Sequence, residues 1–317
     1  MGSGQLAALA AAMIWACTSV ALTSLSTRVS PVVLSGLRLA FGSVVVLAML
    51  AVSGQASSLA DASGASIAGV ILSGFIGYGF GDTIYIVALK RVGMQRTFPI
   101  TMALFITLTV IGGVVVLGED FTWGLPAGAL LIGAGVYLLV IPGKGKRLTA
   151  TPPVPAEPAM ATMAEIRAPA AFPPPDALGY GMLLAVGVLW AAASLWLADS
   201  GKGLEAIAAG AIRTPAGATA LIGFAMATQR HNLVAPFLNR NHLWAILGAG
   251  MIGTGFGSLL YVYSVLEAGA AQAAVLSATS PLMALPLSIV FLGEKLTRRI
   301  GAGTVICVLG IVVVVSL

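Results

Sequence analysis

The chain has 317 residues, of which 58% are hydrophobic and only 9% are charged, and its mean hydropathy is +1.01. A soluble domain carries about a quarter charged residues, so this composition excludes a soluble globular protein and indicates a polytopic membrane protein. The formal charge of +5 comes mainly from residues between the apolar runs. It therefore does not indicate nucleic acid as a partner, and the lipid bilayer is the expected environment.

Ten apolar runs follow one another along the chain, most of them close to the ~20 helical residues that cross a bilayer. The runs are continuous, which predicts helices and not the alternating strands of a barrel. The fold class is therefore all-α integral membrane. The predicted spans are residues 5–27, 32–53, 66–89, 97–117, 123–141, 178–198, 205–227, 243–265, 271–292 and 300–316.

A proline-rich segment separates the fifth span from the sixth. It contains "TPPVPAEP" and "APAAFPPPD", and such a composition predicts an extended linker. The chain thus divides into a first five-helix unit (1–141), a linker (142–177) and a second five-helix unit (178–317).

The two units are related in sequence. A shift of 175 residues places Trp15 on Trp190 and Arg38 on Arg213, and a shift of 176 places "GFIGYGFGDTIY" on "GMIGTGFGSLLY". This self-similarity indicates an internal duplication. Because each unit has five spans, the second must enter the membrane from the opposite side. Inverted repeats of this kind are typical of secondary transporters, whose substrate site lies near the midplane between the halves.

Basic residues are distributed unevenly between the two ends of the spans. Thirteen of the 16 lysines and arginines lie in loops that follow odd-numbered spans, whereas only Lys202 lies on the other face. Cytoplasmic loops carry an excess of such residues. We therefore expect a multi-pass protein of the cell (inner) membrane, with the linker in the cytoplasm and both termini outside.

Three ionisable residues lie well inside predicted spans: Arg38, Asp82 and Arg213. Each costs about 2.5–3.5 kcal/mol on insertion scales, so such residues usually face a partner or an aqueous cavity. At 1.5 Å per residue, Arg38 and Asp82 lie ~10 Å and ~12 Å from the same face. We expect Asp82 either to pair with Arg38 or to carry a coupling proton.

In the second unit Arg213 is retained, but Ser258 replaces the aspartate. A guanidinium group suits a carboxylate or a phosphate, so one interpretation is that Arg213 attracts an anionic or zwitterionic substrate. The alternative is that Arg38 and Arg213 only form structural pairs or extend their stems to the interface. The residues alone leave both interpretations open.

Glycines and aromatic residues accompany these positions in both units. The glycines of "GYGFGD" and "GTGFGS" either allow close helix packing or mark a broken helix beside a cavity. Tyr85 and Tyr261 follow them, and Trp15 and Trp190 occupy equivalent mid-helix positions away from the interfacial belts. We expect these four residues and Ser258 to line a central cavity, with ordinary packing as the alternative for the tryptophans.

Two acidic residues mark the ends of equivalent spans. Glu119 in "GEDFT" and Glu294 in "GEKLT" end the fourth and ninth spans at opposite faces, and we expect them to be anchors at the membrane interface, with coupling sites as the alternative. No phosphate-binding loop or nucleophile–base arrangement is visible, and His231 and His242 make a poor metal site. The chain is therefore expected to be no enzyme and to need neither a cofactor nor a metal.

The order of these features resembles the EamA-type branch of the drug/metabolite transporter (DMT) superfamily. The resemblance covers nearly the whole chain outside the linker and rests on "MIWACTS" and "VLWAAAS", "LSGLRLAFG" and "AGAIRTPAG", and "ATSPLMALPLSIVFLGEKLT". It implies ten helices in two inverted repeats around a central cavity. It also implies transport of small metabolites, often amino acids, driven by proton exchange or a substrate gradient. Many members are described with cytoplasmic termini, opposite to the orientation that the charge distribution predicts here.

We predict a secondary-active transporter, exporter or importer, of small polar metabolites such as amino acids or related organic ions. Protons are the candidate coupling ion, and the working unit is expected to be a monomer or a homodimer. A flippase for lipids or lipid-linked substrates is the alternative within transport. A non-transporting membrane protein is a further alternative, which the lack of a nucleophile or metal cluster disfavours.

Overall fold

A computed structural model of the chain describes residues 1–26, 28–92, 94–140, 177–280, 282–283 and 298–316, and no strand occurs among them. The α-helices in these ranges are α1 (Ser3–Ser26), α2 (Pro31–Ser53), α3 (Ser57–Asp61), α4 (Gly64–Gly74), α5 (Asp82–Val92), α6 (Met94–Val115), α7 (Gly124–Val140), α8 (Ala177–Ser200), α9 (Ala206–Thr228), α10 (Arg230–Leu238), α11 (Arg240–Gly248), α12 (Ser258–Ser277) and α13 (Arg298–Ser316). Two π-helical segments, π1 (Phe75–Gly81) and π2 (Ala249–Gly257), join α4 to α5 and α11 to α12.

Among the residues that the structure describes, five continuous helical stretches are long and apolar enough to cross a membrane. They are Pro31–Ser53, Gly64–Ala88, Ala177–Ser200, Ala206–Thr228 and Arg240–Ser277. Shorter apolar helices occur at Ser3–Thr18, Ile100–Val115, Gly124–Leu138 and Gly301–Ser316. The prediction of an all-helical, multi-pass membrane protein is confirmed.

The number of ten spans stays a prediction. Residue 281 and residues 284–292 of the ninth predicted span, which include Pro286, lie outside the described residues, and so does Glu294. The predicted linker (142–177) also falls outside the described residues up to residue 176, and the description resumes at Ala177.

The two glycine-rich motifs form π-helix in both units. In π1 the amide of Asp82 donates to the carbonyl of Gly77, five residues earlier, so the turn is wider than in an α-helix. Such segments occur frequently at functional sites. The third span is therefore widened at its glycines rather than broken, and it continues directly into α5.

The two units are interleaved. α1 packs on α12 and π2, α2 on α9 and π2, and α8 on α4, π1 and α6. In each unit a glycine near the start of the π-helical segment packs against the backbone of the arginine of the other unit, so the same close contact occurs twice. A Cβ atom at Gly250 would lie 2.7 Å from the carbonyl oxygen of Arg38, and one at the equivalent Gly74 would overlap that of Arg213. This exchange is expected of two related repeats packed about a pseudo-twofold axis.

Large apolar side chains cover the outside of the bundle as well as its interior. Leu130 is 75% exposed, Val116 74% and Trp123 79%, which is consistent with a surface solvated by lipid rather than water. The interior is filled by fully buried aliphatic side chains, including Leu34, Leu39, Ile132, Leu183, Leu197, Ile246 and Leu276.

Candidate functional site

The Asp82 carboxylate lies at the first residue of α5 and joins three helices. Its Oδ2 accepts a hydrogen bond from Nη2 of Arg38 on α2, with which it forms a salt bridge. Its Oδ1 accepts a hydrogen bond at 3.1 Å from Nε1 of Trp190 on α8. The pair of Arg38 and Asp82, which their similar depths in the membrane allowed, is therefore present. The indole of Trp190, from the other unit, is the second hydrogen-bond donor to the carboxylate.

Two aromatic rings hold the indole of Trp190 in place. Its ring centroid lies 5.1 Å from that of Tyr85 and 6.2 Å from that of Phe105 on α6. Such pairs contribute about 0.5–1.5 kcal/mol beyond their buried area. A Cβ atom at Gly81 would lie 2.7 Å from Cδ1 of Trp190, so glycine at this position lets the indole approach the carboxylate.

The second unit repeats this aromatic arrangement without the carboxylate. The ring centroids of Trp15 and Tyr261 are 5.5 Å apart. Nε1 of Trp15 donates at 3.1 Å to the backbone carbonyl of Gly253, and Ser258, which replaces the aspartate, is 5% exposed. The hydroxyl of Tyr261 lies 2.8 Å from Oγ of Ser194. The two halves of the site therefore share a Trp–Tyr pair and differ in charge.

Arg213 lies between the two units and is only 3% exposed. Its Nε donates at 3.0 Å to Oγ of Ser73 and its Nη1 at 2.9 Å to the hydroxyl of Tyr78, whose ring centroid is 4.3 Å from the guanidinium carbon. Ser73 donates in turn to the carbonyl of Ala193 at 2.7 Å. A desolvated cation–π contact is worth about 2 kcal/mol or more, so Arg213 fastens α9 to the third span.

The eight candidate residues thus fall into three groups that meet where the units interleave. The carboxylate group contains Arg38, Asp82, Tyr85 and Trp190, its counterpart contains Trp15, Ser258 and Tyr261, and Arg213 lies between the units. Their roles in substrate binding stay predictions.

Four residues that complete these groups were missed from the sequence: Ser73, Tyr78, Phe105 and Ser194. Tyr78 carried a signal, because it lies four residues before Asp82 in the same motif, at a spacing typical of one helix face. Ser194 also carried a signal, because it ends the repeated motif "VLWAAAS", whereas Ser73 and Phe105 are single residues in apolar runs and carried none. Their partners lie far away in the chain, so only the packing of the units reveals them.

The cluster has a formal charge of +1, from two guanidinium groups and one carboxylate. The carboxylate has two different partners, so a proton or a ligand ammonium group could take the place of either. Within the described ranges, no group of three or more His, Cys, Asp or Glu side chains could hold a metal ion.

Comparison with known proteins agrees with this architecture. The sequence matches the EamA-like transporter family twice, over residues 2–141 and 177–316. The fold is similar to a crystal structure of a protein of unstated function, with a TM-score of 0.70 and 20% identity, over 98% of this chain and 96% of that one. No curated protein matches the sequence. Since the family match covers both units and nearly the whole chain, the protein belongs to the EamA-like transporter family, in its duplicated form.

Proposed function

We propose that the protein is a secondary-active transporter of small zwitterionic metabolites, amino acids or related compounds, and that it works by alternating access. The observation that carries this proposal is the Asp82 carboxylate, which bonds Arg38 of the first unit and Trp190 of the second. A ligand that replaces either partner changes the contact between the units. Movement of one repeat against the other around a central site is how such transporters operate.

The charge of the cluster supports a zwitterionic substrate. The carboxylate of Asp82 can accept an ammonium group, while the net charge of +1 favours a negative group nearby. A guanidinium group binds a carboxylate through two parallel hydrogen bonds. A substrate that carries both groups would satisfy Asp82 and an arginine together.

Arg38 is better suited than Arg213 to contact the substrate directly. Ser73 and Tyr78 accept hydrogen bonds from Nε and Nη1 of Arg213, whereas their counterparts beside Arg38, by the 176-residue shift, are Ala249 and Thr254. Alanine lacks the hydroxyl and threonine is shorter than tyrosine. Nε of Arg38 is correspondingly buried and has no hydrogen-bond partner among the described residues. Buried donors are normally paired, which supports a ligand at this group.

The exposure of the side chains agrees with this assignment. Arg38 and Asp82 keep 14% and 18% of their side-chain surface, whereas Arg213 keeps only 3% of its residue surface. Arg213 then acts on the substrate through its charge, and Arg38 through contact. The coupling ion in this proposal is a proton on Asp82, which would neutralise the carboxylate and release Arg38.

Uptake into liposomes of purified protein tests the proposal. Pooled labelled amino acids are offered with and without an imposed pH gradient, to the native protein and to Asp82→Asn. Native flux is expected to rise with the gradient. The variant should lose about tenfold or more of it, because a hydrogen bond to a charged group is worth about 1.5–3 kcal/mol and 1.4 kcal/mol is tenfold.

Asp61→Asn is the matched control, because Asp61 is an exposed acidic residue at the end of α3 and its substitution removes the same charge. Flux that ignores the gradient and survives Asp82→Asn would make the protein a facilitator and Asp82 structural. Absence of amino-acid flux in the native protein would contradict the proposal. A lipid-flipping assay in the same vesicles would then test the alternative of a flippase.

We also propose that the linker lies in the cytoplasm and that the chain termini lie outside, on the basis of the uneven distribution of basic residues. Green fluorescent protein inserted in the linker should fluoresce, and alkaline phosphatase fused after Leu317 should be active. The reverse pair of results would show the opposite orientation.

A further inference from the structure

Glu119, in the loop between α6 and α7, bonds the backbone of the second unit. Its Oε1 accepts a hydrogen bond from the amide of Ala270 at 2.7 Å, and its Oε2 accepts one from Ala271 at 3.1 Å. A carboxylate in this position satisfies amides that have no partner at a helix start, and it interacts favourably with the helix dipole. The residue expected only as an interface anchor therefore caps a helix of the other unit.

The capped helix starts at a break in the backbone. Gly269 has φ +83° and ψ 160°, which interrupts α12 between its two helical parts. This conformation favours glycine over other residues. A Cβ atom at Gly269 would lie 3.0 Å from Cδ of Glu119, so the carboxylate lies directly against the break.

The first residues of the chain meet the same turn. A Cβ atom at Gly4 would lie 2.9 Å from Cβ of Ala268. Nε2 of Gln5 donates to Oε1 of Gln272 at 2.9 Å. The start of α1, the loop that carries Glu119 and the turn at Gly269 therefore meet at this end of the bundle.

Gly269 lies eight residues after Tyr261 on α12, about 12 Å along the helix. Ser264 is fully buried and lies three residues after Tyr261, a spacing that puts both on one helix face. Its hydroxyl has no hydrogen-bond partner among the described residues. A path from this end to Tyr261 would therefore pass Ser264.

We propose that Glu119 is a latch that holds the end of the bundle carrying the chain's N-terminus closed, and that its two hydrogen bonds to Ala270 and Ala271 break when this end opens. Glu119 is then a positioning residue, because it acts through the start of a helix and not on the substrate. This inference rests on the proposed alternating access. It names the contact that sets the equilibrium between the conformation open at this end and the conformation open at the opposite end.

Cysteine labelling at both ends of the bundle tests the latch. Ser264→Cys reports on the latched end. Ala88→Cys reports on the opposite end, because Ala88 is the counterpart of Ser264 by the 176-residue shift and is equally buried. Both reporters are placed in a chain without its two native cysteines, Cys17 and Cys307. A maleimide is then reacted with the purified protein in nanodiscs.

Glu119→Ala should raise the labelling rate at Ser264→Cys by about tenfold, since the two bonds that it removes have a charged acceptor. The rate at Ala88→Cys should fall, because opening one end closes the other. Glu119→Gln, which keeps one acceptor oxygen, should give an intermediate shift, and it carries the test if the alanine variant fails to fold. Asp120→Ala removes the neighbouring exposed acid and should change neither rate.

Unchanged rates at both reporters would overturn the latch. Faster labelling at both reporters would overturn it too, because that result indicates a loosened fold and not an exchange between two ends. The labelling needs no substrate, so it is independent of the liposome assay. A native protein that shows no flux would remove the transport proposal and leave the labelling result standing.

Discussion

Nε1 of Trp190 donates a hydrogen bond at 3.1 Å to Oδ1 of Asp82, whereas its counterpart Trp15 donates to the backbone carbonyl of Gly253. The two tryptophans occupy equivalent positions on α8 and α1, and each stacks on a tyrosine. Duplication has therefore kept the aromatic frame and changed the acceptor. The negative charge of a carboxylate acceptor can be neutralised by a proton or by a cationic group of a ligand. A backbone carbonyl carries no such charge.

The first prediction compares Trp190→Phe with Trp15→Phe. Both changes keep an aromatic ring and remove one indole donor. Loss of a bond to a charged acceptor costs about 1.5–3 kcal/mol, and loss of one to a neutral carbonyl about 0.5–1.5 kcal/mol. We expect Trp190→Phe to lower substrate flux in liposomes by about tenfold and Trp15→Phe to lower it much less. Equal effects would indicate that the tryptophans act only by packing.

The second prediction concerns the glycines of π1. A Cβ atom at Gly81 would lie 2.7 Å from the Trp190 ring, whereas nothing lies within 4 Å of one at Gly79. Gly81→Ala should therefore displace the indole and lower the thermal stability, at a cost of about 1–3 kcal/mol for overpacking. Gly79→Ala should be neutral or stabilising, because alanine favours helix by about 1 kcal/mol over glycine. Thermal unfolding of the two purified variants in detergent decides between them. Similar melting temperatures would contradict the close approach at Gly81.

Much of the architecture could be predicted from the sequence, because a membrane allows few solutions. Apolar runs of about 20 residues must become helices, and the offsets of 175 and 176 residues revealed the duplication. The pair of Arg38 with Asp82 followed from depth alone, since both charges lie at similar distances from one face.

The remaining contacts depend on how the units interleave. Trp190 reaches Asp82 from a helix 108 residues away in the chain, and Ser73 lies 140 residues from Arg213. No local pattern encodes such distances. The cap at Ala270 was missed for the same reason, because Glu119 is 151 residues away in sequence. The π-helical form of the glycine motifs was also not anticipated, since glycines were read as packing sites or as a broken helix.

The third prediction is a double-mutant cycle on Arg38 and Asp82. Arg38→Gln alone leaves a partly buried carboxylate without its cation, and the cost should approach the lower end of the about 3–5 kcal/mol that is typical of breaking a fully buried pair. Asp82→Asn alone leaves the guanidinium group unpaired. The double variant is neutral and should recover a large part of the loss. Melting temperatures of the four proteins give the coupling. Additive losses would show that the two side chains do not depend on each other, in contradiction to the salt bridge.

The fourth prediction separates charge from structure at Arg213. Arg213→Gln removes the unbalanced positive charge together with the bonds to Ser73 and Tyr78, so both thermal stability and apparent substrate affinity should fall. Arg213→Lys keeps the charge but loses the planar fork. It should lower the melting temperature while changing the KM of uptake much less.

Tyr78→Phe is the matched control for these two variants, because it removes one hydroxyl bond and keeps the ring over the guanidinium group. It should cost about 1 kcal/mol of stability and leave the KM unchanged, since the charge at Arg213 remains. If Arg213→Gln lowers the melting temperature and leaves the KM of the native protein, Arg213 acts only in fastening α9 to the third span. Attraction of the substrate would then depend on Arg38 alone. The side chains of Arg38 and its partner Asp82 are 14% and 18% exposed and are therefore accessible to a substrate.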